Sequence, residues 1–348
     1  MDEIRPVETF LTLVRLGMKT GGTERFPSLD DGQWDEILDL GLKQGVTGLL
    51  FSGASLLPDD IIIPYKTAIR LMMETDRILR RSEKVSKASD SLMAALKTKG
   101  LNPSVMKGPS AAALYPEPKL RENGDLDIFL PPSEFEKAIE VVAPGSFRKD
   151  PDGNILYHWD GIEIDQHPRY FDLHCSENSK LGKRLLSLIP FDGTPSPEAQ
   201  LLMLSLHIRK HCMSTGVGLR QICDMAMAYK AFQGRYDPQN LLELYNVTGS
   251  GKWNRLLASF IRTYLGDIPL PYSDDTNLPA PEPLFKIVFS GGSFGHYDLS
   301  RKDALKKGGT SRKLDTLVRI LRRIPFSLRY SQSELIPYLN SLIKGNLA

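Results

Sequence analysis

The feature that most constrains the fold is a change in hydrophobic pattern about a third of the way along the chain. Up to about residue 101, apolar residues recur at the spacing of amphipathic helices, as at Val7, Phe10 and Leu11. Residues 103–170 instead contain short strand-like runs separated by turn residues, and the helical spacing returns from Ser196. Because strands and helices are segregated, the sequence predicts an α+β fold, with a small mixed β-sheet core flanked by N-terminal and C-terminal helical regions.

Four runs in the central block have the composition and length of β-strands. The dipeptide Asp160-Gly161 joins the last two runs and favours a tight hairpin turn between them. A helix is expected at residues 133–142, between the second and third runs. The four runs are residues 103–106, 126–130, 154–159 and 162–165.

The chain is longer than one ordinary domain, since 348 residues predict two or three structural units. One boundary is expected at a proline-rich stretch, which can form neither regular helix nor a central strand. The predicted units are an N-terminal helical region (1–100), an α+β core (101–175), a helical region (176–267), a proline-rich linker or loop (268–285) and a basic C-terminal helical region (286–348).

Composition excludes several classes of protein. With 41% hydrophobic and 25% charged residues, the chain is neither disordered nor collagen-like. Its three cysteines form no CxxC pair, so neither a disulfide framework nor a structural zinc site is indicated. A formal net charge of +2 gives no overall attraction to nucleic acid or to anionic membranes. We find no signal sequence and no membrane span, and therefore expect a soluble, cytoplasmic protein.

Two aspartates on the second strand-like run are the first candidates for chemistry. Residues two apart on a strand project to the same side, so Asp125 and Asp127 present two carboxylates together. These charges repel unless a cation bridges them, and Mg²⁺ or Mn²⁺ favours such oxygen ligands. An isolated pair of this kind is also compatible with solvated carboxylates at a strand edge.

The segment V-M-K-G-P-S-A-A-A-L-Y-P-E-P-K-L-R-E-N-G-D-L-D-I-F, residues 105–129, resembles the uncharacterised nucleotidyltransferase family of the DNA polymerase beta-like nucleotidyltransferase superfamily. The resemblance is tight over these residues and looser from there to Asp224. It implies transfer of a nucleoside monophosphate from a nucleoside triphosphate to an acceptor hydroxyl by a two-metal mechanism, with Mg²⁺ or Mn²⁺. The nucleotide-binding residues that it implies are Lys107, Gly108, Ser110 and Arg121.

The turn before the aspartates departs from the wider superfamily. A small residue, a glycine and then glycine or serine are usual there, whereas this chain has Lys107-Gly108-Pro109. Because proline has no N–H to donate, phosphate binding is expected to depend on Gly108, Ser110 and the start of the following helix.

The resemblance also implies a third metal-binding carboxylate on a neighbouring strand. Strand alternation directs Glu163, Asp165, His167 and Arg169 to one face, with Ile164 on the other. Asp165 is the preferred catalytic residue because it matches the family's acid two residues before a histidine. Glu163 is the alternative, and His167 and Arg169 are further candidates for the cleft.

The following helical region contributes four more candidate cleft or structural residues. His207 and His211 share a helix face, a spacing that occasionally binds a transition metal but is common without one. Arg220 and Asp224 are also four residues apart and are expected to pair.

The C-terminal region is basic, with ten Lys or Arg and two Asp in residues 301–329, a local excess of +8. We expect an amphipathic helix that packs through Leu314, Leu317, Val318, Leu321 and Ile324. Its basic face is either simply solvated or binds an anionic acceptor. A glycine-rich loop at residues 291–295 also looks like a late motif of the family, with no assignable chemistry.

The acceptor is not identified by the sequence and could be a small molecule, a protein or a nucleic acid. A competing hypothesis is a catalytically silent module of the same fold that binds nucleotide or a partner protein. A third hypothesis is a polymer-binding protein that works through the basic C-terminal helices.

Overall fold

The structure is a computed structural model. It describes residues 6–22, 26–142, 146–150, 153–173, 179–189, 194–214, 216–272, 275–291 and 310–344.

Four helices precede the sheet: α1 (Pro6–Met18), α2 (Asp31–Gln44), α3 (Thr47–Ala54) and α4 (Tyr65–Lys97). The long helix α4 buries one stripe of apolar residues at seven-residue intervals, Leu71, Ile78, Val85 and Leu92. Its end is followed by Gly100, whose left-handed φ of 73° turns the chain into the sheet.

A five-stranded mixed sheet follows, in the order β1-β2-β5-β4-β3. Only the central pair β2 and β5 is parallel, and the other three pairings are antiparallel. The predicted hairpin is confirmed, since Asp160 and Gly161 both have positive φ, 49° and 71°. The strands are β1 (Ser104–Val105), β2 (Leu126–Phe129), β3 (Arg148–Lys149), β4 (Ile155–Trp159) and β5 (Ile162–His167). The expected α+β class with a mixed sheet and flanking helices is confirmed.

The two faces of the sheet have different partners. Residues such as Leu126, Ile128, Ile162 and Ile164 are fully buried in a hydrophobic cluster with α4 and the helix α6 (Pro132–Val142). The opposite face carries Asp127 of β2 and Asp165 and His167 of β5. Strand alternation thus keeps the carboxylates of the sheet away from this cluster.

The loop that leads into β2 is fixed by the N-terminus of α3. Gly48 permits close contact, because a Cβ there would lie 2.0 Å from the carbonyl oxygen of Leu120. The carboxylate of Glu122 accepts a hydrogen bond from the backbone N–H of Thr47 at 2.9 Å, at the helix N-terminus where an anion is favoured. The N-terminal helices therefore position the chain just before Asp125.

Between β1 and β2 lie a short helix α5 (Pro109–Ala112) and a 3₁₀ turn (Pro118–Leu120). After the sheet, helix α8 begins as predicted, with Ser196 accepting from the backbone N–H of Ala199 and Pro197 in the first turn. The later helices are α7 (Lys180–Leu186), α8 (Pro197–Met213), α9 (Leu219–Ala231), α10 (Pro238–Val247), α11 (Gly251–Tyr264), α12 (Glu282–Gly291), α13 (Thr310–Tyr330) and α14 (Gln332–Lys344).

The proline-rich stretch packs on the helices at its N-terminal end, where Ile268, Leu270 and Tyr272 are buried. Helix α12 begins at Glu282, so Pro283 lies in a first turn, where the missing N–H has no cost. The glycine-rich loop, apart from Gly291 at the end of α12, lies outside the described residues, as do residues 301–309 of the basic region.

Helix α13 departs from the expected packing. Val318 and Leu321 of the expected apolar side are 36% and 55% exposed. Ile324 of that side is half-buried, and near the C-terminal end of the helix Phe326 packs against the hydrophobic cluster and Tyr330 is buried. Along the ranges that the structure describes, no helix combines the length and apolar character needed to cross a membrane.

Candidate active site

The parallel pairing of β2 with β5 brings two of the predicted carboxylates side by side. In this register Asp127 lies opposite Asp165, and Phe129 lies opposite His167. The Nε2 atom of His167 lies 2.8 Å from Asp127 Oδ1 and 3.3 Å from Asp165 Oδ2. Ligand atoms of Asp127, Asp165 and His167 all lie within 4.8 Å of one another. These three side chains form the carboxylate cluster of the site.

Two basic groups, Lys107 and His167, offset the negative charges of Asp127 and Asp165. Lys107 Nζ contacts Asp127 Oδ1 at 2.7 Å, on the same oxygen that His167 approaches. Burial would raise the pKa of Asp127, but the charge of Lys107 and the His167 hydrogen bond hold it far below its usual range. Burial would likewise lower the pKa of His167, yet its hydrogen bonds to Asp127 and Asp165 raise that pKa to about 9. Both bases are therefore charged at neutral pH.

The aspartates Asp127 and Asp165 line a cleft in the protein. Asp125 lies at the bend immediately before β2 and lines this cleft too. The residue is exposed, but loss of water around its carboxyl and the negative charge of Asp127 raise its pKa. A bound cation would lower that pKa again. A positive charge in the cleft would therefore stabilise the ionised form of Asp125.

The carboxylate cluster fits a divalent cation. Asp165 Oδ1 is buried without a hydrogen-bond partner among the residues that the structure describes. A carboxylate oxygen can only accept, so this atom needs a cation or a water molecule. The carboxylates of Asp127 and Asp165 suit Mg²⁺ or Mn²⁺, whereas His167 would have to lose its proton before it could add a nitrogen ligand.

The turn at Lys107-Gly108-Pro109 forms one wall of the cleft. Gly108 has a left-handed φ of 65°, and a Cβ there would lie 3.6 Å from the carbonyl oxygen of Asp125. Pro109 occupies the first position of α5, where its missing N–H breaks no helical hydrogen bond. Lys107 and Gly108 line the cleft, whereas Ser110 is half-buried inside α5 and is not among the lining residues described.

Arg121 and Asp224 form a buried ion pair, which corrects the expected pairing of Arg220 with Asp224. Arg121 donates from Nε to Asp224 Oδ1 and from Nη2 to Oδ2, both at 2.7 Å. Tyr115 adds a hydrogen bond from its hydroxyl to Asp224 Oδ1 at 2.8 Å. Bidentate geometry from a distant arginine is stronger than a local pair along one helix.

This pairing leaves Arg121 little capacity for nucleotide. Its Nη1 donates to Asn123 Oδ1 at 2.7 Å and to the carbonyl oxygen of Glu122 at 3.1 Å. Four of the five guanidinium N–H groups are therefore used within the protein.

Arg220 has more donors left. It donates from Nη1 to the carbonyl oxygen of Glu122 at 2.8 Å, while its buried Nε has no partner among the described residues. Burial and the nearby charge of Arg121 lower its pKa. Its neighbour Gln221 is buried with both amide atoms unpartnered within the described residues. Both side chains line the cleft.

Helix α8 also lines the cleft. Four residues on one face of this helix line the cleft: Leu204, His207, Ile208 and His211. His207 Nδ1 lies 3.1 Å from Asp172 Oδ2, and the two histidine rings meet edge to face at 4.4 Å. The predicted sharing of a helix face by His207 and His211 is therefore observed.

Of the predicted site residues, Glu163 and Arg169 lie outside the cleft lining, as Ser110 and His167 do. Glu163 is exposed beside His158 of β4, because the register of β5 with β2 begins one residue later, at Ile164. Arg169 is exposed beyond the bend at Pro168 and lines a separate groove with Tyr170.

Sequence reasoning missed three residues at this site: Tyr115, Asp172 and Gln221. Tyr115 belongs to the Y-P pair of the quoted motif, so the motif did mark it, although without a partner. Asp172 lies beyond the end of β5, where strand alternation no longer applies, and carries no periodic signal. Gln221 adjoins the candidate Arg220 but is one of many glutamines on helices.

Comparison with protein families finds a match to this chain. A family model described as uncharacterised nucleotidyltransferase matches residues 30–266 of the 348. The match covers α2 to α4, the sheet with α5 and α6, and α7 to α11. Comparison with curated proteins and with solved structures found no match to this chain.

Proposed function

Because the chain belongs to the uncharacterised nucleotidyltransferase family, we propose that it transfers a nucleoside monophosphate from a nucleoside triphosphate to an acceptor hydroxyl. The observation that supports this most is the parallel register of Asp127 with Asp165 beside the Lys107-Gly108 turn. Carboxylates, a lysine and a glycine turn in one cleft are what a metal-bound triphosphate requires.

In this proposal Asp125, Asp127 and Asp165 hold Mg²⁺ or Mn²⁺. The metal supplies neutralisation of the triphosphate and a lower pKa for the attacking hydroxyl. Two observations support metal binding by these residues: the unpartnered Oδ1 of Asp165 and the raised pKa of Asp125. His167 bridges the two strand aspartates and keeps them close together.

The triphosphate is proposed to lie at the Lys107-Gly108 turn. Gly108 lets a phosphate approach the backbone, since no side chain intervenes. Lys107, whose Nζ contacts Asp127, would add a positive charge at this turn for the phosphates. Arg220 adds donors from α9, whereas Arg121 acts chiefly by tying the loop before β2 to α9.

The test is pyrophosphate release. The protein is incubated with each of the four ribonucleoside triphosphates, Mg²⁺ or Mn²⁺, and a cell extract that supplies acceptors. Asp127→Asn should abolish release, because the amide cannot replace the charge at the metal. The matched control is Asp76→Asn on the exposed surface of α4, which should release pyrophosphate like the parent.

Release that is equal in Asp127→Asn and in the parent would refute the assignment. Binding of a triphosphate without release under any condition would favour the catalytically silent module. The acceptor stays open among small molecules, proteins and nucleic acids, and labelled product from the extract would identify its class.

A further inference from the structure

A second group of ionisable side chains joins α8 to the segment just after β5. Asp172 follows β5, and its carboxylate accepts from Lys210 Nζ at 3.0 Å through Oδ1. Its other oxygen, Oδ2, lies 3.1 Å from His207 Nδ1. Neither contact involves the proposed metal-binding carboxylates, so this group is separate from the carboxylate cluster.

The hydrogen bond to Asp172 selects the tautomer of His207. An ionised carboxylate can only accept, so the ring nitrogen beside it must carry the proton. Burial would raise the pKa of Asp172, but Lys210 and His207 hold it well below its usual range, which keeps the carboxylate ionised. The other ring nitrogen, Nε2, then has a lone pair. No hydrogen bond to Nε2 is found among the residues described.

The surroundings keep this imidazole neutral. Burial lowers the pKa of His207, the charge of Lys107 lowers it further, and Asp172 opposes them only in part. The charged and titratable groups that face His207 are Asp172, Lys107, Asp127, Lys210 and His211. A neutral imidazole oriented by a carboxylate is the usual arrangement of a general base.

We propose that His207, oriented by Asp172, is the general base that removes the proton from the acceptor hydroxyl. This inference rests on the proposed nucleotidyl transfer. His207 lines the same cleft as Asp127 and Asp165, the cleft that an acceptor would have to enter. His207 is then a catalytic residue, and Asp172 is a positioning residue.

The step balances without a further reactant. The acceptor O–H bond breaks and its proton moves to His207 Nε2. The electron pair left on the acceptor oxygen forms a new bond to the α-phosphorus of the nucleoside triphosphate. The bond from that phosphorus to the bridging oxygen breaks, and its electron pair leaves with pyrophosphate. His207 then returns its proton to solvent.

The kinetic test compares His207→Gln and Asp172→Asn with the parent in the pyrophosphate-release assay. His207→Gln should lower kcat by roughly 10²- to 10⁴-fold. Asp172→Asn should also lower kcat, because an amide can donate to Nδ1 and thereby move the ring proton to Nε2. Binding of each triphosphate with Mg²⁺, measured by equilibrium dialysis, should be unchanged in both variants. The matched control is His158→Gln on the exposed side of β4, which should retain the parental kcat.

The pH profile separates this role from a purely structural one. Protonation of His207 inactivates a general base, and its pKa is lowered, so the parental kcat should fall only below about pH 6.5. That acidic limb should be missing from the residual activity of His207→Gln. A structural histidine would lower the thermal midpoint and triphosphate binding together, and would leave the limb in place.

Nitrogen NMR of the protein with labelled histidine tests the tautomer directly. At pH 7, His207 should show a protonated Nδ1 and an unprotonated Nε2, and Asp172→Asn should shift the proton towards Nε2. A charged ring, or a proton on Nε2 in the parent, would overturn the proposal. Parental kcat in His207→Gln would overturn it while the transfer function stands. Absence of pyrophosphate release in the parent would refute both proposals.

Discussion

Replacement of Asp224 by asparagine should destabilise the protein strongly, although the residue lies outside the proposed metal site. Asp224 is 4% exposed and accepts two hydrogen bonds from Arg121 and one from Tyr115. Arg121 itself is 6% exposed, and this pair ties the loop before β2 to α9. The variant removes the negative charge while the guanidinium stays buried.

The magnitude follows from this burial. Loss of one partner from a buried ion pair typically costs about 3–5 kcal/mol, because the remaining charge is left uncompensated. Asparagine retains one acceptor oxygen but places an N–H₂ group against a donor, so it recovers little. Against a total stability of roughly 5–15 kcal/mol, the thermal midpoint should fall on the order of 10 °C.

The assay is thermal unfolding followed by circular dichroism, with Glu243→Gln as the matched control. Glu243 pairs with Arg184 at 2.8 Å, but the two side chains are 56% and 42% exposed, so no measurable change is expected. A double variant, Arg121→Met with Asp224→Leu, should regain part of the loss because no buried charge remains. Equal midpoints for Asp224→Asn and Glu243→Gln would refute the reasoning.

Three further predictions concern the cleft. Gly108→Ala should weaken triphosphate binding, whereas Gly100→Ala, which carries the same left-handed strain with nothing within 4 Å of its added Cβ, should not, as equilibrium dialysis can measure. Asp165→Asn should bind triphosphate yet fail to release pyrophosphate, while Glu163→Gln should be mild; the reverse result would transfer the role to Glu163. Mg²⁺ with a non-hydrolysable triphosphate should raise the thermal midpoint by mass action, and an equal rise in Asp125→Asn would show that the ion binds elsewhere.

Local pattern was sufficient to predict most of the sheet. The alternation in β2 and β5 depends only on neighbouring residues, so it predicted correctly that Leu126 and Ile164 are buried and that the aspartates face away from them. The hairpin at Asp160-Gly161 and the start of α8 at Ser196 are also local signals. Each depends on the conformational preference of one or two residues, an Asp-Gly turn or a serine N-cap, which can be recognised in the sequence.

Ion pairs between residues that are far apart in the sequence could not be predicted in this way. The spacing of Arg220 and Asp224 favours a local pair, but Asp224 pairs with Arg121, which is 103 positions earlier. A helix face brings two residues close at a small energetic gain, whereas a buried bidentate contact depends on how whole elements pack. Asp172 was missed for the same reason, since its partners lie on α8.

The register between neighbouring strands also could not be predicted from the sequence. Alternation assigns Glu163 and Asp165 to one face but does not give the register with the neighbouring strand. That register begins at Ile164, which separates the two acids. The catalytic roles, the domain boundaries and the acceptor stay predictions.

The central claim is that this cleft transfers a nucleoside monophosphate. The most direct measurement compares nucleoside triphosphate labelled at the α-phosphorus with the same compound labelled at the γ-phosphorus, each with Mg²⁺ and a cell extract. The account predicts that only the α-label enters an acceptor, that the γ-label leaves as pyrophosphate, and that Asp127→Asn does neither. Transfer of the γ-label to the acceptor, or no transfer of either label, would contradict it.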